Sequence, residues 1–396
     1  MSSAGIVVEY NPFHNGHLYH LEKTKELCNT QGVIAVMSPN WVQRGEPAII
    51  DKWERANMAV RQGVDLVLEL PFIWATQSAR EFARGAISIL DATGIVKYQT
   101  FGSESADLNF LYKASTFLDE EPEDFRDELR RYLKTGHSYP HAATKALNKV
   151  MHSEKTITPN DVLGIEYLKA HKDIKTNITP QIIERVGSDY HDPELASEFS
   201  SATAIRKALK DSKSIKDYVP PAVLEILNNN RDHLVYFDDL EKYALYRLRT
   251  AKAQELTSYP GWEKGLENML KEAAMHKTRL EDLVNHAITK RYTRGRINRY
   301  LVHLLIGLNR EKIINFNKKG PPYLRILGMN STGKILLKQM KKQAKLPILT
   351  RPAKELRRLD KYSEDCFDQE VTATSFYNLL IDKEGHDDYT RPAIMN

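Results

Sequence analysis

Two histidines near the N-terminus, His14 and His17, follow a short apolar run and have Gly16 between them. The run at residues 6–8 is typical of a buried strand, and the residues from His17 onward are typical of a helix, so the motif occupies a strand-to-helix turn. A helix N-terminus presents unpaired N–H groups and a positive dipole end, which favour anions, and glycine permits close approach to the backbone. Two imidazoles over such a turn suit charge stabilisation on a phosphoryl group in transfer.

Zinc ligation and a plain surface pair are the competing interpretations of the two histidines. The two cysteines, Cys28 and Cys366, lie far apart in the sequence and build no cysteine-based metal site. A surface pair would need neither the strand nor the proline turn before it. We therefore favour a phosphate-binding turn and expect no protein-bound metal cluster.

A second candidate element contains Ser201, Thr203 and Arg206 at the start of a helix expected to run from a cap at Ser200 to residue 209. Hydroxyls, free N–H groups and a guanidinium together make a second phosphate clamp. The alternative is an ordinary N-cap, which serine and threonine supply in many proteins. We favour the clamp because the histidine turn accompanies it.

The first hundred residues alternate short apolar runs with helical patterns. Strands are predicted at residues 6–8, 33–37, 64–70 and 97–101, with helices at 17–27, 52–62 and 82–90 between them. This alternation predicts an α/β fold with a doubly wound parallel sheet, which binds ligands at the carboxyl ends of its strands. We expect residues 1–215 to form this catalytic domain, with a helical insertion and a later strand at 182–186, and residues 216–396 to form a mostly α-helical, basic domain.

The charge is distributed unevenly along the chain. The formal net charge is +5, but residues 290–358 hold 19 basic side chains against two acidic ones. Its start, residues 290–300, mixes five basic residues with two tyrosines. The basic residues would bind phosphates and the tyrosines could stack on exposed bases. The candidate RNA-binding residues are Lys290, Arg291, Arg294, Arg296 and Arg299. A plain solvated face is the alternative, and the length of the excess favours an RNA-binding surface.

Targeting and membrane signals are weak in this sequence. The first residues have no basic segment leading into an apolar one, and the most apolar stretch, residues 64–71, contains two carboxylates and a proline. Such a stretch is too short to span a bilayer. We expect a soluble, cytoplasmic protein without a membrane partner.

The string His14-Asn15-Gly16-His17, taken with residues 201–206, resembles the nucleotidyltransferases of the His-x-Gly-His class. The resemblance implies a Rossmann-like fold and attack on the α-phosphate of ATP, which releases pyrophosphate. His14, His17 and Arg206 would stabilise the transferring and leaving phosphates, and Asn11 would contact them from the turn.

A wider resemblance is more specific. Several segments of the chain are similar to the tRNA(Met) cytidine acetate ligase family. They are residues 7–18, 38–48, 101–104 and 159–164, followed by Arg185 with Tyr190 and His191. The resemblance implies a ligase that activates acetate as acetyladenylate and then acetylates N4 of the wobble cytidine of elongator tRNA(Met), with Mg²⁺ accompanying ATP. The implied ATP-binding residues are Val7, Val8, Glu9, Asn11, Pro12, Phe13, His14, Asn15, Gly16, His17, Gly102, Asn160, Arg185, Ser201 and Thr203.

The loop after the second predicted strand is a candidate acetate site. Gln43 and Arg44 lie in it, and a guanidinium suits a small carboxylate. A structural salt bridge or a tRNA contact is the alternative role for Arg44. Pro39, where the family is expected to have glycine, stiffens this loop.

One further motif resembles a phosphate-binding loop. Residues 328–334 match the spacing of a P-loop, but Ile335 stands where the Mg²⁺-binding hydroxyl belongs. We interpret the segment as a turn into a basic helix.

Two other functions compete with the ligase. A small-molecule adenylyltransferase of cofactor biosynthesis would have the same catalytic half but no use for the basic segment. A non-catalytic RNA-binding protein would need neither the two histidines with Gly16 nor Arg206.

Overall fold

The computed structural model describes residues 2–30, 32–137, 139–185, 199–289 and 291–396. Lys290, Tyr190 and His191, singled out in the sequence, lie outside the described residues. The strands are β1 (Ser3–Val8), β2 (Gly32–Met37), β3 (Trp41–Val42), β4 (Glu46–Pro47), β5 (Leu66–Glu69), β6 (Val96–Ser103), β7 (Thr179–Glu184), β8 (Leu324–Met329), β9 (Ile348–Leu349) and β10 (Ile394–Met395).

Helices connect and cover these strands. In the first half of the chain they are α1 (Asn15–Leu27), α2 (Lys52–Arg61), α3 (Phe72–Ala75), α4 (Ala79–Ala92), α5 (Leu108–Glu120), α6 (Glu123–Lys134), α7 (Tyr139–Met151), α8 (Pro159–Ile174) and α9 (Ala202–Lys210). The second half contains α10 (Pro221–Asn229), α11 (Glu241–Thr250), α12 (Ala253–Leu256), α13 (Leu266–His276), α14 (Leu280–Ala287), α15 (Arg294–Ile306), α16 (Arg310–Lys319), α17 (Ser331–Gln343), α18 (Pro352–Glu355), α19 (Lys361–Leu379) and α20 (Asp387–Thr390).

An eight-stranded sheet runs in the order β10-β8-β5-β2-β1-β6-β7, with β9 paired to β8. Strands β5, β2, β1, β6 and β7 are parallel, and β8 is antiparallel to β5. The chain first builds outward from β1 to β2 and β5, then returns to the other side of β1 as β6. The strand order therefore reverses beside β1, which is where a doubly wound sheet opens a crevice for a ligand. The predicted α/β class and its parallel strands are confirmed.

Both faces of the sheet are buried, because side chains alternate between two apolar clusters. In β2, Val33 belongs to one cluster and Ile34 to the other. A strand that is buried on both faces has a continuous apolar sequence, as β2 does. The smaller cluster lies under α1, α2, α9 and α10. The larger one lies under α4, α5 and α8 and continues to Leu301 of α15 and Phe367 of α19.

The last part of the chain returns to the sheet. Strand β8 and the short strand β10 extend it beyond β5, although both follow the predicted division at residue 215. That division stays a prediction, and the sheet itself contains strands from either side of it. The P-loop-like segment is a turn into a helix, as interpreted: β8 ends at Met329, and the side chain of Asn330 caps α17 by accepting from the Gly333 N–H at 2.9 Å.

A cluster of buried charges joins the two parts. The Lys52 ammonium lies 2.6 Å from Glu69, 2.9 Å from Glu370 and 2.7 Å from Asp388. Arg325 pairs with Glu69 at 3.2 Å and also contacts Asp388. All five side chains are buried. Such a cluster is held only where every charge has a partner.

In the described ranges, no helix combines the length and the apolar character needed to cross a membrane.

Candidate active site

A cavity of about 460 Å³ opens at the carboxyl ends of β1 and β6. Most of the residues predicted to bind ATP or acetate line it. They are Val7, Val8, Glu9, Asn11, His14, Gly16, His17, Gln43, Arg44, Gly102, Asn160, Arg185, Ser201, Thr203 and Arg206, and Arg294 joins them. The tertiary structure thus gathers segments that are nearly two hundred residues apart in sequence.

Three predicted ATP-binding residues of the first turn do not line this cavity. Phe13 is fully buried in the smaller apolar cluster, and Pro12 is buried beside it. The Asn15 side-chain amide donates to the backbone carbonyl of Asp217 at 3.0 Å. These residues therefore hold the shape of the turn.

The two histidines cap α1 and hold each other. His14 is the N-cap residue, and its Nδ1 accepts a hydrogen bond from the Gly16 N–H at 3.1 Å. Its own backbone N–H donates to Nδ1 of His17 at 3.2 Å. The rings stack with their centroids 3.7 Å apart. Because each Nδ1 accepts, the hydrogen-bond network assigns the proton of each neutral imidazole to Nε2.

The surroundings keep these imidazoles neutral. Burial, with Arg185 and Arg206 nearby, lowers the pKa of His14 to about 3. Burial and the neighbouring His14 and His20 lower the pKa of His17 well below its ordinary value. At neutral pH both side chains are therefore Nε2–H donors without charge. Such donors suit the oxygens of a phosphate.

Arg206 reaches from α9 to the first turn. Its guanidinium donates to the backbone carbonyl of Asn11 at 2.9 Å and to the Thr203 hydroxyl at 3.4 Å, and it lies 3.6 Å from Glu46. Ser201, rather than the predicted Ser200, caps α9. The histidine turn and the second clamp are therefore joined directly through this arginine.

Asn11 has a positioning role in this arrangement. Its side-chain oxygen accepts from the Ile49 N–H at 2.6 Å, and the residue is almost fully buried. Its backbone carbonyl holds Arg206, as described above. The predicted contact between Asn11 and the phosphates stays a prediction.

Three predicted residues on the other side of the cavity meet at Glu104. Arg185 pairs with this carboxylate at 3.2 Å, and the Asn160 amide donates to the same oxygen. Gly102 lies alongside, where an added Cβ would come within 3.0 Å of the Arg185 side chain. Sequence reasoning assigned Glu104 no role, although its position directly after β6 was the available signal.

The loop between β3 and β4 carries the candidate acetate residues. The Gln43 N–H donates to the Glu9 carboxylate at 2.7 Å, and its side-chain amide donates to the Gln77 carbonyl at 2.9 Å. That amide nitrogen is therefore used within the protein, whereas Arg44 lines the cavity. Gly45 has a φ of +72°, and a side chain there would collide with the backbone of Arg299 on α15.

Arg55 fixes the loop between β2 and β3, which contains Pro39 and leads into the loop between β3 and β4. This fully buried guanidinium donates to the backbone carbonyls of Glu9 and Ser38 at 2.6 and 3.1 Å and also contacts that of Pro39. It was missed in the sequence, where an arginine inside a helix pattern gives no sign of burial. The loop with Pro39 is thus held by a buried cation.

The predicted RNA-binding arginines have different surroundings. Arg294 forms a bidentate ion pair with Glu281 at 2.9 and 2.6 Å, and Arg296 pairs with Glu263 at 2.7 Å. Arg299 is half-buried and donates to the Gln43 carbonyl at 3.2 Å, while Arg291 is exposed. Helix α15 therefore contacts the loop that borders the cavity.

His20 was also passed over in the sequence. It follows His17 by three residues, so it lies on the same face of α1, and it lines the cavity. Burial, with Arg185 nearby, lowers its pKa to about 4. The repeated three-residue spacing was the available signal. Among the described residues, no group of three histidine, cysteine, aspartate or glutamate side chains is arranged to hold a metal ion.

Fold and site together define a nucleotidyl transferase with a histidine-capped phosphate turn. The HIGH Nucleotidyl Transferase family model matches residues 1–391 of this chain. The tRNA(Met) cytidine acetate ligase of Caldanaerobacter subterraneus is 42% identical over 395 residues, which cover 97% of this chain and 98% of the relative. That of Clostridium acetobutylicum is 38% identical and is covered completely. This chain belongs to the tRNA(Met) cytidine acetate ligase family.

Solved structures show the same relationship. The crystal structure of Thermotoga maritima TmcAL without ligand superposes with a TM-score of 0.93 at 37% identity, covering 100% of this chain and 99% of that one. The form of that protein bound with alpha-thio ATP gives a TM-score of 0.90 with the same identity and coverage.

Proposed function

We propose that this protein acetylates N4 of the wobble cytidine of elongator tRNA(Met), using ATP and acetate through an acetyladenylate intermediate. The observation that carries this proposal is the contact between the phosphate-binding cavity and the basic part of the chain. Arg294 of α15 lines the cavity, and Arg299 of the same helix holds the loop that contains Gln43. A free-standing adenylyltransferase would not need this connection.

The first step joins acetate to the α-phosphorus of ATP. An acetate oxygen attacks this phosphorus, and the bond to the bridging oxygen of pyrophosphate breaks. His14 and His17 donate from Nε2 to phosphate oxygens, and Arg206 adds its positive charge. Gly102, Asn160 and Arg185 hold the nucleotide from the other side, with Ser201 and Thr203 at the N-terminus of α9.

Acetate is proposed to bind beside the loop between β3 and β4. Arg44 supplies the positive charge for its carboxylate, and Gln43 positions the loop through its hydrogen bonds to Glu9 and Gln77. Val42 and Phe82 also line the cavity and offer apolar surface for the methyl group.

Mg²⁺ is proposed to enter with ATP. This ion usually keeps several waters and takes one or two carboxylates together with the substrate phosphates. Glu46, which lines the cavity beside Arg206, is the nearest fit among the described carboxylates at the phosphate end. Bound there, the ion would neutralise phosphate charge.

The RNA is proposed to bind the basic part, within residues 216–396, with residues 1–215 as the catalytic domain. The anticodon bases are unstacked enough for one of them to enter a cavity. Arg291 is exposed, while Arg294, Arg296 and Arg299 join α15 to its neighbours. The proposed tRNA substrate supports the predicted cytoplasmic location.

The test incubates the protein with ATP, ¹⁴C-acetate and a transcript of elongator tRNA(Met). We expect acid-stable label in the RNA, recovered as N4-acetylcytidine after digestion, and a transcript with uridine at the wobble position should remain unlabelled. Label absent from RNA, with AMP transferred instead to a phosphorylated metabolite, would support the small-molecule adenylyltransferase.

A further inference from the structure

We propose that Glu9 is the general base that takes the proton from cytidine N4 when the acetyl group is transferred. This inference rests on the proposed function and concerns its second step. Glu9 lies one residue beyond the end of β1, at the carboxyl edge of the sheet, and its side chain lines the cavity.

The position of Glu9 lies between the two ends of the cavity. At one end are the histidine turn and Arg206, whose charge acts on this carboxylate. At the other end is the loop between β3 and β4, whose Gln43 N–H donates to Oε1 of Glu9 at 2.7 Å. That loop is docked on α15 of the basic part. Glu9 therefore contacts the loop through which α15 of the basic part reaches the cavity.

The other carboxylates of the cavity have other surroundings. Among the described residues that line it, the carboxylates are Glu9, Glu46 and Glu184. Glu46 lies 3.6 Å from Arg206 and accepts from the Asn298 amide at 3.4 Å. Glu184 is exposed at the end of the edge strand β7. Glu9 is half-buried, and after the bond to Gln43 its second oxygen, Oε2, remains for a proton.

The cavity histidines fit this task less well. The Nδ1 atoms of His14 and His17 accept backbone hydrogen bonds, so their Nε2 atoms carry protons and act as donors. His20 lies on the Arg185 side, where burial and that cation lower its pKa to about 4. A base has to be unprotonated and yet basic enough to take a proton.

The surroundings of Glu9 make it a stronger base than an exposed carboxylate. Burial raises its pKa above the ordinary 4.5, and this effect outweighs the lowering by the Gln43 N–H and by three nearby arginines. The charged and titratable groups that act on it are Arg206 of α9, Arg44 of the loop, Arg55 of α2 and the Tyr167 hydroxyl of α8.

Cytidine N4 attacks the carbonyl carbon of acetyladenylate and forms the new C–N bond. The bond between that carbon and the phosphate oxygen breaks, and AMP leaves with the electron pair. The proton that N4 loses passes to Oε2 of Glu9 and then to water. No oxidant, reductant or further substrate takes part.

The variant Glu9→Gln distinguishes a general base from a residue with a purely structural role. Glutamine keeps a side-chain oxygen to accept from the Gln43 N–H, but it cannot take a proton. We expect single-turnover transfer of acetyl to tRNA to fall about 10²–10³-fold. Adenylate formation, followed by trapping with hydroxylamine as acetohydroxamate, should fall far less than transfer, because any contact of Glu9 with ATP affects both steps but proton transfer affects only the second.

Controls make every outcome decisive. Glu225→Gln makes the same chemical change at an exposed carboxylate paired with Arg61, and it should leave both steps unchanged. Thermal unfolding and ATP titration establish that the Glu9→Gln protein is folded. If it is not, Glu9→Asp, which keeps the carboxylate, serves as the second variant and should lose transfer more than trapping.

Three results would overturn the proposal for Glu9. The first is transfer by Glu9→Gln at the wild-type rate, and the second is an equal loss of trapping and transfer in that variant. The third concerns the pH profile of the wild type: a transfer rate that does not rise as a group with a pKa above 4.5 loses its proton. The proposed function fails separately: wild-type protein would then form acetohydroxamate yet leave the cytidine of tRNA unmodified.

Discussion

Two groups of charged side chains lie at the carboxyl ends of strands in one sheet, and they differ in how their charges are met. Beside β1 and β6, Arg206, Arg185 and Arg44 surround an open cavity of about 460 Å³. Beside β5, Lys52 and Arg325 are enclosed by carboxylates, two of which come from the last thirty residues of the chain. In the first group, Arg185 and Arg206 meet protein carboxylates, Glu104 at 3.2 Å and Glu46 at 3.6 Å, but they stay open to the cavity, whereas the second group is fully enclosed by the protein.

This difference indicates which charges bind ligands and which hold the fold. A partly paired cation in a solvent-accessible cavity still attracts phosphate, because part of its positive potential extends into the cavity. A cation buried among carboxylates contributes no such field, and removing one member leaves unpaired charge in the interior. Substitutions in the buried group should therefore lower the stability of the fold, whereas substitutions around the cavity should lower ligand-dependent activity.

The largest expected effect is in the buried cluster. Lys52→Met leaves three carboxylates with Arg325 alone, and we expect a loss of about 3–5 kcal/mol in the free energy of unfolding, measured by urea denaturation. Lys23→Met, at an exposed lysine paired with Glu26, should change stability by no more than about 1 kcal/mol. A loss that small at Lys52 would show that the cluster is not decisive for the fold.

The next effect is in the cavity. His17→Ala removes one Nε2–H donor, and acetate-dependent ATP–pyrophosphate exchange should fall about 10²–10³-fold while the affinity for tRNA is retained. His276→Ala, at an exposed histidine that ends α13, is the matched control and should exchange normally. Loss of tRNA binding in His17→Ala would contradict the separation of nucleotide and RNA contacts.

A smaller effect distinguishes an exposed arginine from a paired one. Arg291 is exposed and forms no ion pair within the described ranges, whereas Arg294 is paired with Glu281. In filter binding of tRNA over a series of salt concentrations, Arg291→Ala should reduce the slope of log affinity against log salt by about 1. Arg294→Ala should reduce it less, because its charge is already partly met. The reverse order would place the RNA on the cavity side of α15.

The smallest effect is on the pH dependence of stability. The folded protein holds the pKa of His14 at about 3, below its ordinary 6.5, so between these values the unfolded chain takes up a proton that the folded protein refuses. The resulting contribution to stability is complete above pH 6.5 and is lost as the pH falls towards 3. In urea titrations at several pH values, His14→Gln should reduce this loss of stability at acidic pH. An unchanged pH dependence of stability would show that His14 is solvated in the native state.

The sequence predicted the elements that lie within one continuous stretch. The strands β1, β2, β5 and β6 were found within a few residues, because each is an apolar run bounded by turn residues. The histidine turn was found because strand, turn and helix start are adjacent in sequence. The cap of helix α9 was predicted at Ser200 but is Ser201, since helix ends depend on caps more than on periodicity.

Contacts between distant segments could not be predicted in the same way. Glu104 and Arg55 looked like ordinary charged residues, and only the folded chain shows that they hold the two sides of the cavity. The extension of the sheet by β8 and β10 was likewise missed, because these strands follow a long helical region and join the sheet only in the tertiary structure, where β8 pairs with β5 and β10 pairs with β8.

The sequence by itself determined the doubly wound sheet, the histidine turn that follows its first strand and the basic character of residues 290–358. Each depends on periodicity or composition within a short window, and local backbone preferences express these directly. The tertiary structure decided which charges are cancelled. Lys52 and Arg206 are alike as isolated cations, but Lys52 is enclosed by carboxylates that include two from more than three hundred residues away, whereas Arg206 has Glu46 at 3.6 Å and also lines the cavity. Charge compensation depends on distance in space, and the fold alone sets that distance.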